Sequence, residues 1–228
     1  MSEVKGDSDN FDTKLSIACN TMGIVLSSEK RQKLIDYLNN LLKWNKTYNL
    51  TAIRNPEQGL IQHIFDSLSV VAPLKKYFEI KKIEAPKIMD VGSGGGLPGA
   101  VLAIAFDHAH ITCVDTVEKK TSFIRQVASV LKLNNLEAIH SRVENIEPAN
   151  ADIVISRAFA SLEDFADLSG CHVKQDGMLV GMKGKNPGEE IDALINKGQW
   201  KIEKIESLLV PDLQADRCLV WMERKGRK

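Results

Sequence analysis

Few features that usually announce a function occur in this sequence. Its four cysteines, Cys19, Cys113, Cys171 and Cys218, form no C-x-x-C pair and stand at long, irregular gaps. That argues against a zinc site or a disulfide framework, and for a reducing compartment. Net charge is absent, because thirty Lys and Arg balance thirty Asp and Glu. The chain is therefore no polycation, and any grip on nucleic acid must come from a local patch. Long hydrophobic runs are missing too. The longest, Ala100 to Phe106, is far short of the roughly 20 residues that span a bilayer. The opening MSEVKGDSDN is polar and does not read as a secretory signal, so the expected location is the cytoplasm, with no membrane contact. No G-x-S-x-G elbow or H-E-x-x-H helix occurs. The histidines, His63, His108, His110, His140 and His172, show no ligand spacing, and no metal is expected.

What is present is a change of texture near residue 84. Residues 1–10 read as a disordered tail, and 11–84 as a helical lobe. A first helix over about 11–22 carries Phe11, Leu15, Ala18 and Met22 at helical spacing, with Gly23 where a helix would stop. A second, capped by Ser27 or Ser28, aligns Leu34, Ile35, Leu38, Leu41 and Leu42. A third starts at Asn55-Pro56, with Gln58 at N3, and is expected to run to Pro73.

From 85 to 228 short β-rich runs alternate with helical ones. Strands are expected at Lys87–Val91, His110–Asp115, Leu136–Ser141, Asp152–Ser156, Gly177–Met182, Trp200–Val210 and Arg217–Arg224. Alternation implies a doubly wound parallel sheet with helices on both faces. The last two strands lack a crossover helix and should form an antiparallel hairpin.

The run VGSGGGLPGA, residues 91–100, follows the first of those strands. It reads in two frames. Gly94-x-Gly96-x-x-Gly99 fits a dinucleotide turn, whereas Asp90-x-Gly92-x-Gly94-x-Gly96 fits the acidic glycine loop of methyl-transferring enzymes. Gly94 lies three residues past the strand, and Pro98 sets the helix start late. The loop is thus wider than a pyrophosphate turn needs. Asp115 ends the second strand, 19 residues after Gly96, where an acid can hold ribose hydroxyls. NAD and S-adenosylmethionine both carry a ribose, so Asp115 does not choose between them. The terminal hairpin favours the methyltransferase arrangement, by analogy of fold. A nicotinamide-dependent oxidoreductase remains the alternative enzyme, and an RNA-binding module without catalysis the alternative class.

Five stretches carry a resemblance: 43–51 (KWNKTYNLT), 63–67 (HIFDS), 90–99 (DVGSGGGLPG), 141–144 (SRVE) and 156–160 (SRAFA). Together they resemble the bacterial 16S ribosomal RNA guanine-N7 methyltransferase family. The resemblance implies a class I S-adenosylmethionine-dependent methyltransferase fold, a Rossmann-like seven-stranded sheet with a small N-terminal helical lobe. It implies S-adenosylmethionine as cofactor, 16S ribosomal RNA or the small ribosomal subunit as partner, and no obligate protein partner. Cofactor residues carry over to Gly92, Leu97, Val143, Glu144 and Arg157, beside Gly94 and Asp115 from the loop reading. Gly95 departs from the family pattern, where proline is expected, and is predicted to loosen the loop.

Guanine N7 has a free lone pair, so methylation there needs no general base. Catalysis is then in-line positioning in a water-excluding site. Positioning candidates are Asn49, His63, Asp66, Arg125, Arg157 and Lys183. Asn49 suits a base edge, Arg125 a phosphate, and Arg157 a carboxylate or phosphate in bidentate geometry. His63 and Asp66, three apart on one helix, serve packing or an inter-lobe bond as readily as substrate. Trp44 and Tyr48 read first as inter-lobe core and second as base-stacking rings. Lys119, Lys120, Lys183, Lys185 and the tail 224–228 supply local positive charge.

Overall fold

The computed structural model describes residues 3–157, 159, 161–185 and 187–226, with side chains from Asn10 onward. Residues 1–2 of the polar tail, Ala158 and Ala160 of the SRAFA stretch, and Arg227 and Lys228 of the basic tail lie outside the described residues.

Helix α1 spans Glu3–Thr21, starting ahead of the 11–22 that the apolar spacing suggested. Once Phe11, Leu15 and Ala18 bury the following turns, adding further turns costs little, because propagation is far cheaper than nucleation. Helix α2 spans Ser28–Tyr48, and Ser27 accepts from the Lys30 N–H as its cap. Next comes a continuous helical run of three parts. These are α3 (Pro56–Gly59), capped by Asn55, a π-helical segment (Leu60–Phe65), and α4 (Asp66–Leu68). Pro73 does not end this run. It sits in the first turn of a separate helix α5, Val71–Lys81, where its missing N–H would have had no intrahelical partner.

The sheet follows as β1 (Lys87–Val91), β2 (His110–Asp115), β3 (Leu136–His140), β4 (Ala151–Ser156), β5 (Val173–Lys183), β6 (Trp200–Ser207) and β7 (Cys218–Arg224). Between them lie α6 (Gly99–Ala105), α7 (Glu118–Val130), α8 (Leu162–Ser169) and α9 (Gly188–Asn196). Among the described residues the sheet has seven strands in the order β3-β2-β1-β4-β5-β7-β6. Strands β1 to β5 are parallel, while β7 pairs antiparallel with both β5 and β6. Strand β5 begins four residues earlier than expected, because Val173 already pairs with Ala151.

The period of two along the strands sends side chains to two cores. Ile88, Ile153 and Ile155 enter one core with Val101, Phe123, Ile124 and the helices before residue 84, while Met89, Val91 and Val154 enter the other with Leu162, Phe165 and Leu194. The N-terminal helices are thus continuous with one face of the sheet. No helix among the described residues is long and apolar enough to cross a membrane.

Candidate functional site

Because β1 to β4 are parallel, the loops after them open along one edge of the sheet, the place where such sheets bind ligands. The strand order reverses between β1 and β4, and the glycine loop leaves β1 at that point. Gly92, Gly94 and Gly96 take φ of 68°, 58° and 94°, a region glycine enters without steric cost. These three left-handed residues curl the backbone back over β2, and Gly92 and Ser93 donate to Val114 O at 2.8 and 3.1 Å. A Cβ on Gly94 would meet nothing within 4 Å, so that side of the loop is open to a ligand.

Two loop contacts come from elsewhere. Asp115 accepts from Gly94 N at 2.8 Å through one carboxylate oxygen and from Val117 N at 2.9 Å through the other. Tyr37 of α2, fully buried, donates to Gly95 O at 2.7 Å. Gly95 does not take positive φ, and a Cβ there would lie 3.0 Å from Leu41 Cδ1. The loop is thus held from the helical lobe at the residue predicted to loosen it.

Beneath the loop, Gly99 donates to Asp90 Oδ2 at 2.8 Å, while Asp90 Oδ1 is buried without a partner. Burial pushes the Asp90 carboxyl up to about 7, against the lowering effect of the Gly99 bond. A carboxyl raised in the folded state from 3.8 to about 7 gives stability that is whole below the lower value and lost as pH rises through the upper. Wild type is therefore expected to lose stability relative to Asp90→Asn between about pH 4 and 7, as read by urea melts. Parallel pH curves for the two proteins would refute this.

Two clefts adjoin at this end of the sheet, and the loop lines one of them. One, about 160 Å³, is lined by Gly92, Gly94, Leu97, Thr51 and Lys120, and the second, about 320 Å³, by Asp66, Met182, Lys183 and Arg217. His63 and Arg157 line both, so they form the wall between them. A larger cavity, about 980 Å³, lies at another face, beside Ile24, Phe78 and Phe106, and holds none of the candidate residues.

At the shared wall the carboxylate of Asp66, 4% exposed, accepts from Arg157 Nη1 at 3.0 Å and from Arg217 Nε at 2.8 Å. Arg157 also donates to Gln62 O at 3.1 Å. One acid at the end of the π segment therefore fixes a guanidinium after β4 and another just before β7. His63 lies in the π segment itself, 3.0 Å from Thr51 Oγ1. Burial, with Arg157 adding to it, drives the His63 imidazole down to about 4, so it is neutral at physiological pH. Segments of this kind cluster at functional sites, since the wide turn re-aims side chains.

The other candidates fall as follows. Lys183 lines the larger cleft, donates to Phe159 O at 3.1 Å and pairs with Glu190 at 2.7 Å. Val143 is buried after β3, and its carbonyl accepts from His172 Nε2 at 2.9 Å. Because His172 Nδ1 accepts from Ala149 N, that histidine is a satisfied core residue. Glu144 lies on the same sheet edge, and its exposed carboxyl is held below the usual range by the Arg142 side chain, 2.8 Å away. Asn49 ends α2 at φ 50°, exposed, with Oδ1 accepting from Arg54, and lines neither cleft. Arg125 is not brought to the clefts: its Nε donates to Ala138 O of β3 at 3.1 Å. Arg217, Tyr37 and Thr51 were not among the sequence candidates. Arg217 carries no local signal, since its partner is 151 residues away.

The reversal of strand order, the left-handed glycines at the end of β1 and the antiparallel β5-β7-β6 edge define the class I methyltransferase fold. A solved structure similar in fold is a ribosomal protein L11 methylase from Lactobacillus delbrueckii subsp. bulgaricus, with a TM-score of 0.53 and 12% identity, covering 75% of this chain and 80% of that one. The chain belongs to the GidB family, rRNA small subunit methyltransferase G, whose model matches residues 30–220. A ribosomal RNA small subunit methyltransferase G of Bordetella pertussis is 56% identical over 212 residues, covering 92% of each chain. Another, of Methylibium petroleiphilum, is 44% identical over 221 residues, covering 95% of this chain and 98% of that one.

Proposed function

We propose that the chain transfers a methyl group from S-adenosylmethionine to N7 of a guanine in 16S ribosomal RNA, in the cytoplasm. The observation that carries this reading is the pair of clefts on either side of His63 and Arg157. One is floored by the glycine loop, and the other is ringed by Arg157, Lys183 and Arg217. Such a pair fits a donor on one side of a wall and an acceptor base on the other. The division of labour follows the chain, with a helical lobe over 11–84 and the cofactor-binding domain over 85–228.

The residues present fit the cofactor. Gly92, Gly94 and Leu97 give the donor an open backbone shelf. Asp115, although engaged by two loop amides, keeps acceptor capacity on both oxygens for ribose hydroxyls. Val143 and Glu144, on the same edge, lie toward the base end of a nucleoside. When bound, the sulfonium supplies an electrophilic methyl carbon. N7 attacks with its own lone pair, so no side chain has to take a proton first. That agrees with a neutral His63 at the wall, with an imidazole held at about 4. The work of Arg157, Arg217 and His63 is then to set the acceptor's approach and keep water out. Lys183 and Arg217 offer cations to the RNA backbone.

Cleavage selective for 7-methylguanosine, applied to 16S RNA from cells with and without the gene, tests this. A cut present only with the gene is expected, and an unchanged pattern would remove the assignment. Calorimetry should show binding of S-adenosylmethionine. Tight binding of NAD in its place would restore the oxidoreductase reading, against which the antiparallel sheet edge already argues.

A further inference from the structure

Helix α2 does two things at once. Its middle holds the glycine loop through Tyr37 and Leu41, and its last turn ends at the surface. The aromatic residues between form a ladder. Phe123 of α7 lies 3.9 Å from where a Gly95 Cβ would be. The Trp44 ring is 5.5 Å from that of Phe123, edge-on, and the Tyr48 ring is 4.9 Å from that of Trp44, tilted by 38°. Trp44 packs against the core, while Tyr48 is 45% exposed. The outermost ring is therefore fixed from behind and open in front.

Its place matters as much as its exposure. Immediately after Tyr48 the chain turns at Asn49 and folds back as a strap, pinned by the buried Asn45. The Asn45 side chain donates to Ile53 O at 3.0 Å and accepts from Thr51 N at 2.9 Å. Leu50 and Thr51 of that strap line the smaller cleft. Ile53 of the same strap lines the larger cleft, so Tyr48 immediately precedes a segment that borders both.

We propose that Tyr48 is a stacking platform for an unpaired RNA base close to the acceptor guanine. This rests on the RNA-methylating reading above. An acceptor base turned into a cleft leaves its neighbours unstacked, and a rigid exposed ring compensates them whatever their sequence. A ring backed by Trp44 loses little side-chain freedom when a base covers it, so more of the stacking energy is realised.

The test compares short single-stranded oligouridylate with an abasic ribose-phosphate oligomer of equal length. Wild type, Tyr48→Phe and Tyr48→Leu are each measured, alongside S-adenosylmethionine affinity and melting temperature. Wild type and Tyr48→Phe are expected to bind the base-bearing oligomer better than the abasic one. Tyr48→Leu should lose about five- to hundredfold for the base-bearing oligomer and nothing for the abasic one. S-adenosylmethionine affinity and melting temperature should stay as in wild type. Equal loss for both oligomers, no loss for either, or a wild type that does not distinguish them would each overturn the platform. Failure of the methylation reading shows separately, as an absent 7-methylguanosine cut with this binding pattern intact.

Discussion

Asp66→Ala is expected to lower the melting temperature by about 6–12 °C and methyl transfer to small-subunit RNA by about a hundredfold. The carboxylate is 4% exposed, and two guanidiniums converge on it, Arg157 at 3.0 Å and Arg217 at 2.8 Å. Removing it leaves two positive groups facing each other with no counter-charge. Breaking a buried pair in this way costs about 3–5 kcal/mol. The arginine side chains are 26% and 25% exposed, so water screens part of the repulsion and the lower end, about 3 kcal/mol, is the fitting figure. The larger effect on activity follows because Arg157 walls both clefts, and displacement of a positioning group by about 1 Å can cost a hundredfold. Arg217→Ala should be milder in melting temperature, since Arg157 and Asp66 still pair. Thermal melts and single-turnover methylation of small subunits read both quantities. An Asp66→Ala protein that melts like wild type would show that the carboxylate does not organise the wall.

Gly99→Ala is expected to cost about 3 kcal/mol, with S-adenosylmethionine affinity falling alongside. Its Cβ would stand 2.3 Å from Cys113 Sγ and 2.9 Å from Asp90 Oδ2, both buried. Neither neighbour is the free end of a flexible chain. The first turn of α6 has to lift away from β1, which takes with it the N–H that Gly99 gives to Asp90 and disturbs the loop above. Cys113→Ala removes the nearer obstacle, so the double variant Gly99→Ala/Cys113→Ala should recover part of the loss, a non-additive pair of contacting sites. If the double variant melts at the sum of the two single losses, the clash is not the cause. Two other loop positions calibrate the result. Gly95→Ala crowds the tip of Leu41 at 3.0 Å, its other neighbours being at 3.9 Å, and should cost less than about 1.5 kcal/mol. Gly94→Ala meets nothing but sits at φ 58°, which costs about 1 kcal/mol through strain alone.

The two variants separate what the glycine-rich run does. Gly92, Gly94 and Gly96 shape a shelf, whereas Gly99 lets a helix touch a strand. In the dinucleotide frame Gly99 would have been the last glycine of a phosphate grip. In the structure it is buried against Asp90, and the frame Asp90-Gly92-Gly94-Gly96 describes the loop.

Much of this was readable from local patterns, because local energetics produce it. Short β-rich runs between helical ones placed β1 and β2 to the residue, and Ser27 and Asn55 stand as the caps of α2 and α3 because their side-chain oxygens are the nearest acceptors for free N–H groups. Pro73 misled for a reason equally local: proline stops a helix in its interior and is welcome in the first turn, and the pattern did not reveal that a new helix starts at Val71. The π segment gave no sign either, since one wide turn leaves the apolar stripe Leu60, Ile64, Leu68 almost unchanged.

The sequence by itself determined the class of sheet, the glycine loop after its first strand, and the family through short dense stretches. Only the tertiary structure decided which side chains meet. Arg217 reaches Asp66 across 151 residues, Arg157 reaches it across 91, and Tyr37 reaches Gly95 across 58. It also set Arg125 against β3 and turned Tyr48 outward. The physical reason is one of range. Propensity, capping and hydrophobic period act over a few residues and are written in neighbours, whereas a cleft is made by the order in which distant strands lie side by side.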